Sequence, residues 1–95
     1  MRAYETMYIL QPDLDEETRK SLVEKFNKII TDNGGEIEKV TELGQRRLAY
    51  EIEGFKQGYY VQLNYKAEAT VPQELERVLR ISDEVIRILT TVSAR

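Results

Sequence analysis

Apolar and polar residues alternate along four separate stretches of the chain, and each alternation is typical of a β-strand. The stretches are residues 2–10, 36–52, 59–67 and 85–92. A period of two residues places successive side chains on opposite faces of a sheet. In the first stretch both rows of side chains are rather apolar, which indicates a central strand. We expect its even-numbered residues to face the core.

Two further stretches repeat apolar residues every three or four positions, the spacing of one helical face. The first covers about residues 15–33 and is ended by Gly34 and Gly35. The second opens near Thr70, where Thr70 and Gln73 have the spacing of a capping box. Each helix has a single apolar stripe, so each can pack on one layer only.

The order of elements is therefore β-α-β-β-α-β. Two helices with one stripe each can cover only one face of a four-stranded sheet. This predicts an α+β fold of the ferredoxin-like, split β-α-β type, with an antiparallel sheet of strand order 4-1-3-2. A length of 95 residues suits a single domain, residues 1–95. The uncovered face and the edges of the sheet are available to partners.

The second strand contains two positions where regular pairing should fail. Ile37 and Val40 differ in parity, so a bulge is expected between them. Gly44 can kink the strand just before two adjacent arginines. The segment 54–58, with glycine at each end, is expected to be the hairpin loop before the third strand.

Composition excludes several kinds of site. The chain has no cysteine and no histidine, which removes disulfides, thiolate chemistry, the usual zinc ligands and imidazole catalysis. No serine, threonine, tyrosine or lysine lies in a recognisable nucleophile motif. We therefore expect no enzyme activity, catalytic residue, metal site, cofactor or small-molecule substrate. The absence of cysteine and of an apolar N-terminal run fits a cytosolic protein, and no stretch approaches membrane-spanning length.

Cations and aromatic side chains are the candidate binding residues. Arg46 and Arg47 lie on a strand anchored by alternating apolar residues, and a rigid guanidinium pair suits phosphate or carboxylate recognition. The alternative is that both are solvated and paired with Glu42 or Glu51. Tyr60, on the polar side of the third strand, suits either base stacking or cross-strand packing. The other candidates are Arg2 and Arg87 on neighbouring strands, Lys56 near the hairpin, and Arg80.

The balance of charge limits how these cations can act. A net charge of −3 argues against a free-standing nucleic-acid binder. Any such site must be a local patch, or must be shared with a more basic partner.

Several segments together resemble the bacterial small-subunit ribosomal protein six family. They are Gly44-Gln45-Arg46-Arg47-Leu48-Ala49-Tyr50-Glu51-Ile52, the opening Met1-Arg2-Ala3-Tyr4-Glu5, Gln57-Gly58-Tyr59, and Arg80-Ile81-Ser82-Asp83 with Arg87. The resemblance covers essentially the whole chain. It implies a ferredoxin-like structural component of the cytoplasmic ribosome. It also implies binding to the central domain of 16S ribosomal RNA as a heterodimer with small-subunit protein eighteen, which would supply much of the phosphate neutralisation.

Two other functions are compatible with this topology. A ligand-sensing regulatory domain would require a small-molecule pocket and self-association. An acylphosphatase-like hydrolase would require an arginine–asparagine phosphate site at the end of the first strand. The segment Gln11-Pro12-Asp13 found there is not a phosphate-binding loop.

Overall fold

The fold follows the predicted order of elements. A computed structural model describes residues 1–93 of the chain, and residues 94–95 lie outside the described part. The elements are β1 (Arg2–Leu10), α1 (Glu16–Asp32), β2 (Glu36–Ile52), β3 (Phe55–Ala67), α2 (Thr70–Ile81) and β4 (Val85–Val92). The strands form one antiparallel sheet in the order β2-β3-β1-β4, which is the predicted order counted from the other edge. The ferredoxin-like fold is confirmed.

The main core lies between the sheet and the two helices. The even-numbered side chains of β1 from Tyr4 to Leu10 are buried there, as predicted, whereas Arg2 at the start of the strand is exposed. The Tyr8 ring meets Phe26 of α1 edge-on, with ring centroids 5.2 Å apart. Thr6 and Tyr65 share a hydrogen bond of 2.9 Å between their hydroxyl groups. Both helices supply buried residues to this core, so both pack on the same face of the sheet.

The two helices begin differently. The Asp15 carboxylate accepts a 2.8 Å hydrogen bond from the backbone N–H of Thr18, which caps α1. The capping box predicted at Thr70 is wrong. Thr70 is already the first helical residue, Ala69 occupies the N-cap position, and no side chain caps α2. Among residues 1–93 no helix is long and apolar enough to cross a membrane.

The pairing of β2 with β3 is irregular. Its register shifts between Ile37 and Lys39 and between Glu42 and Gly44, which confirms the expected bulge and kink. Gly44 has a φ of 88°, in the left-handed region that favours glycine. A third shift, before Ile52, was not predicted.

The predicted hairpin loop over residues 54–58 is wrong. Ile52 pairs with Phe55, so the turn consists of two residues, Glu53 and Gly54. Both have positive φ, 49° and 84°, as a tight two-residue hairpin turn requires. Gly58 therefore lies within β3. It is glycine because the backbone passes close to β1: a Cβ there would lie 2.2 Å from Cγ2 of Ile9.

The end of this hairpin bends over the open face of the sheet. We call residues 46–58 the hairpin arm. The pairing of β1 with β3 ends at Tyr59, so the arm extends beyond it. Leu48 of the arm is buried against Ile9 and Ile86 in a second, smaller apolar cluster on the face away from the helices. The open face is thus partly covered by the protein's own hairpin.

One side chain of β4 lies on the opposite face from that predicted. The alternation placed Ile86 beside Ile88, whereas Ile86 packs in the small cluster and Ile88 against the main core. The cause is a bulge, because the register between β1 and β4 shifts between Ile9 and Leu10. Arg87 pairs with Ile9 and shares its open face.

Candidate functional site

A cleft of about 260 Å³ separates the hairpin arm from the open face of the sheet. All of its lining residues but one are uncharged. They are Met7, Ile9, Leu48, Ala49, Tyr50, Ile52, Tyr60, Arg87 and Leu89. Two of them, Tyr50 and Leu89, are each 60% exposed. The cleft can therefore bury an apolar side chain of a partner beside a single cation.

Arg87 bridges the open face from β4 to the arm. Its guanidinium carbon lies 5.6 Å from the ring centroid of Tyr50, and Nη1 donates a hydrogen bond to the Tyr50 hydroxyl. Because β2 and β4 are opposite edges of the sheet, this contact spans the sheet. Arg87 forms no ion pair with a carboxylate in the described part of the chain. Its charge remains available to an anion at the mouth of the cleft.

The arm carries three exposed cations: Arg46, Arg47 and Lys56. Within residues 1–93 none of them forms an ion pair, so the alternative in which Glu42 or Glu51 neutralises the arginines is wrong. The Glu42 carboxylate instead accepts a 2.9 Å hydrogen bond from the hydroxyl of Tyr59. These cations can meet phosphate groups without first breaking an internal ion pair.

The two adjacent arginines face different ways. Arg46 pairs with Gly58 and Arg47 with Gln57, and successive strand residues point to opposite faces. Nε of Arg46 donates a 3.3 Å hydrogen bond to the carbonyl oxygen of Leu43, across the Gly44 kink. The arm can therefore contact anions on both of its sides.

Two candidate residues lie away from this site. Arg2 pairs with Ala67 whereas Arg87 pairs with Ile9, so the two arginines sit at opposite ends of the sheet. Seven residues of extended chain separate them, about 23 Å. Arg80 is on α2, on the helical side of the sheet, and donates a hydrogen bond to Glu76. The structure therefore brings together Tyr60 and Arg87 in the cleft, and Arg46, Arg47 and Lys56 on the arm.

The described residues give no sign of acid–base or metal chemistry in this cleft. Its lining contains no carboxylate. No group of three or more acidic, cysteine or histidine residues within residues 1–93 could hold a metal ion. An apolar recess bordered by unpaired cations is suited to binding a partner molecule rather than to catalysis.

Comparison with known proteins decides the family. A family model described as ribosomal protein S6 matches residues 3–91. The chain belongs to the ribosomal protein S6 family. Two similar relatives are small ribosomal subunit proteins bS6. That of Exiguobacterium sibiricum is 54% identical over 91 residues, 96% of each chain. That of Thermoanaerobacter pseudethanolicus is 55% identical over 89 residues, 94% of each chain.

A solved structure of the S6 family agrees with the fold. The crystal structure of 30S ribosomal protein S6 from Thermotoga maritima matches with a TM-score of 0.92 and 40% sequence identity, covering 97% of this chain and 87% of that one. As a member of the S6 family, this protein is a structural constituent of the bacterial small ribosomal subunit and binds ribosomal RNA there, in the cytoplasm. It is not an enzyme, which excludes the hydrolase alternative.

The candidate residues chosen from the sequence of this S6 family member include two that line the cleft, Tyr60 and Arg87, but the cleft itself was not predicted. Its other lining residues are Met7, Ile9, Leu48, Ala49, Tyr50, Ile52 and Leu89. A signal was present, because both rows of side chains in β1 are rather apolar, but this pattern was interpreted only as the mark of a central strand. The missing information was that the arm bends back over the odd-numbered row.

Proposed function

We propose that this protein binds the central domain of 16S ribosomal RNA as a heterodimer with small-subunit protein eighteen. In this proposal the arm cations contact RNA and the apolar cleft receives protein eighteen. The observation that carries it is the separation of two kinds of surface on one hairpin: unpaired cations on the arm, and an almost uncharged recess beneath it.

The arm supports contacts to phosphate. Arg46, Arg47 and Lys56 are exposed and unpaired among the described residues, and guanidinium groups form strong, forked hydrogen bonds to phosphate oxygens. Three cations imply few phosphate contacts and therefore modest affinity for RNA by this chain alone. Arg2 and Arg80 stay predictions for separate contacts.

The cleft supports contact with a protein. Interfaces between proteins are poor in charge at their centre and rich in tyrosine, methionine and arginine. The cleft has this composition, with Met7, Tyr50, Tyr60 and Arg87 in its lining. Exposed leucine and tyrosine side chains beside a recess mark a surface that gains stability when it is covered.

The RNA contact is tested with Arg46→Gln and Arg47→Gln, measured as RNA affinity of the heterodimer over a range of salt concentrations. Each variant should weaken binding by about 1–3 kcal/mol if the guanidinium makes a charge-assisted contact, and should reduce the salt slope by about one. Arg77→Gln is the matched control, because Arg77 is held by Glu74 on α2. If both arm variants match the parent across the titration, the arm is not the RNA site.

The protein contact is tested with Leu89→Lys in the cleft. The matched control is Ile81→Lys, since Ile81 is an exposed apolar residue, 68% accessible, on the helical side. Leu89→Lys should weaken binding of protein eighteen without RNA by at least about tenfold, the effect of a charge in an apolar interface centre. Equal effects of the two lysines would contradict assignment of the cleft to the protein partner.

A further inference from the structure

One segment of the hairpin arm lacks regular pairing with the rest of the sheet. Pairing between β2 and β3 stops on either side of it, at Arg47 with Gln57 and at Ile52 with Phe55. Residues 48–51 of β2 therefore stand opposite Lys56 alone, and we call them the arm bulge. A strand with surplus residues at one point bends there and loses its ladder. The backbone ladder with β3 does not fix where the arm bulge lies, so its side chains must.

Two side chains of the arm bulge contact the open face of the sheet. Leu48 is 7% exposed and packs in the small apolar cluster with Ile9 and Ile86. The Tyr50 hydroxyl accepts a hydrogen bond from Nη1 of Arg87, whose guanidinium carbon lies 5.6 Å from the centroid of the Tyr50 ring. The first contact is apolar and has no preferred direction, whereas the second fixes the orientation of the segment.

The contact between Arg87 and Tyr50 exists because the arm is folded back. Arg87 pairs with Ile9 and Ile9 with Tyr60, so these three residues form one row across β4, β1 and β3. In a flat sheet of four strands the two edges are three strand spacings apart, roughly 14 Å. Side chains stand roughly perpendicular to a sheet, so residues on its two edges do not normally meet. The arm bulge brings Tyr50 over the open face, within reach of Arg87.

Arginine suits this bridging role better than lysine. A planar guanidinium can lie near an aromatic ring and also donate a hydrogen bond to the hydroxyl of that ring, whereas an ammonium group is a compact point charge. Tyr50 is 60% exposed, and a contact between a cation and an aromatic ring at an exposed site changes an equilibrium by about two- to fivefold. The contact therefore favours the folded-back position without locking the arm bulge there.

The position of the arm bulge determines whether the cleft exists. One wall of the cleft is formed by Leu48, Ala49 and Tyr50, and the opposite wall includes Met7 and Leu89 of the sheet. If the arm bulge moved away, the walls would separate and the recess of about 260 Å³ would open to water. A recess that is already formed binds its partner more tightly, because the binding-competent state needs no ordering.

We propose that Arg87 is a positioning residue that holds the arm bulge over the open face through Tyr50 and so keeps the cleft formed in the free protein. This inference rests on the proposed function for its role in binding, because the cleft is the surface assigned to protein eighteen. The position of the arm bulge is a property of this chain alone, so it can be measured without any partner.

A single thiol on the arm bulge reports its position. The chain contains no cysteine, so Leu48→Cys introduces a unique thiol at a site that is shielded while the segment lies on the sheet. Its rate of reaction with an uncharged maleimide follows the population of the opened segment. In this background Arg87→Met and Tyr50→Leu should each raise the rate about two- to fivefold. The double variant should react no faster than the faster single variant, because both changes remove the same contact.

Two further variants serve as controls. Glu51→Gln changes an exposed neighbour of Tyr50 that forms no ion pair within residues 1–93, and it should leave the rate nearly unchanged. Val61→Cys, made instead of Leu48→Cys, places the thiol in the main core, where it is exposed by global unfolding. The thiol at position 48 should react at least about tenfold faster than this core thiol, because local opening costs less free energy than global unfolding.

Three results would overturn the proposal. They are an unchanged rate in Arg87→Met or Tyr50→Leu, multiplied effects in the double variant, and equal rates for the thiols at positions 48 and 61. None of them bears on protein eighteen, whose contact with the cleft is tested separately by Leu89→Lys. Failure of that separate test would leave the thiol rates of the free chain as they are.

Discussion

Two tyrosines in the main core differ in what their hydroxyl groups contact. The Tyr65 hydroxyl shares a 2.9 Å hydrogen bond with Thr6. The Tyr8 hydroxyl is buried near the edge-on contact with Phe26 and has no hydrogen-bond partner among the described residues. An unpaired buried hydroxyl costs about 1–3 kcal/mol. Burial of the hydroxyl group is therefore expected to destabilise the fold at Tyr8, and its hydrogen bond is expected to stabilise the fold at Tyr65.

Removing each hydroxyl should shift stability in opposite directions. Tyr8→Phe should raise the free energy of unfolding by about 1 kcal/mol, because it removes an unpaired group and keeps the ring. Tyr65→Phe should lower it by about 1 kcal/mol and leave Thr6 with only its weaker 3.1 Å contact to Thr90. Urea unfolding measures both. A loss at Tyr8 as large as that at Tyr65 would mean that the Tyr8 hydroxyl is hydrogen-bonded.

The same phenols predict the response to alkali. Burial raises the pKa of Tyr8 and of Tyr65 above the ordinary value of 10.0. Above that value the tyrosines of the unfolded chain ionise while these two stay neutral in the folded protein. The contribution of these two residues to the free energy of unfolding is therefore fully present below about pH 10 and is lost as the pH rises towards the folded-state pKa. The urea midpoint should fall above about pH 10, and less steeply in Tyr8→Phe than in the parent.

The hairpin arm depends on a close approach between β3 and β1. Gly58 allows it, because any side chain there would overlap Ile9. The contact lies at the base of the arm, beside Ile9, which lines the cleft. The arm thus leaves the sheet at a point where the absence of a side chain lets β3 pass close to β1.

Substitution of that glycine should therefore be costly. Gly58→Ala should lower the free energy of unfolding by about 1–3 kcal/mol through overpacking. Ile9→Leu removes the clashing Cγ2 methyl group, so the double variant should lose less than the sum of the two single variants. Lys56→Ala, exposed on the same strand, should change stability by less than about 0.5 kcal/mol. Strict additivity in urea unfolding would contradict the clash.

The positions of the strands and helices could be predicted from the period of the apolar residues. The prediction was wrong where the backbone conformation of a single residue determines the structure. Alternation located the strands, and parity located the bulge after Ile37. The hairpin turn was misplaced because glutamate rarely adopts the left-handed conformation of Glu53, whereas Gly58 resembled a turn residue. The cleft could not be predicted because it depends on Leu48 meeting Ile9, a contact that no local pattern encodes.

At the scale of the whole molecule, acidic charge and a few unpaired cations coexist. The net charge is −3, while the arm presents three cations near one another. Long-range repulsion of RNA thus opposes short-range attraction at the arm. A basic partner that binds nearby would reduce the long-range repulsion of RNA without altering the short-range attraction at the arm.

Assembly with RNA and protein eighteen should therefore be cooperative. The protein alone should bind the RNA weakly at physiological salt, and protein eighteen should strengthen that binding. By linkage, RNA should strengthen binding between the two proteins by the same factor. Gel-shift and calorimetric titrations in both orders of addition measure the two factors. Tight RNA binding by this chain alone would count against the prediction.

The central position of β1 has a consequence for synthesis of the chain. The first strand to be made pairs with β3 on one side and with β4, the last strand, on the other. Until β4 is available, one side of β1 and its apolar odd-numbered row stay without their native neighbours. Pairing between segments so distant in sequence is slow and leaves strand edges open to neighbouring chains. A growing chain must therefore leave one edge of β1 without its native partner until β4 has been translated.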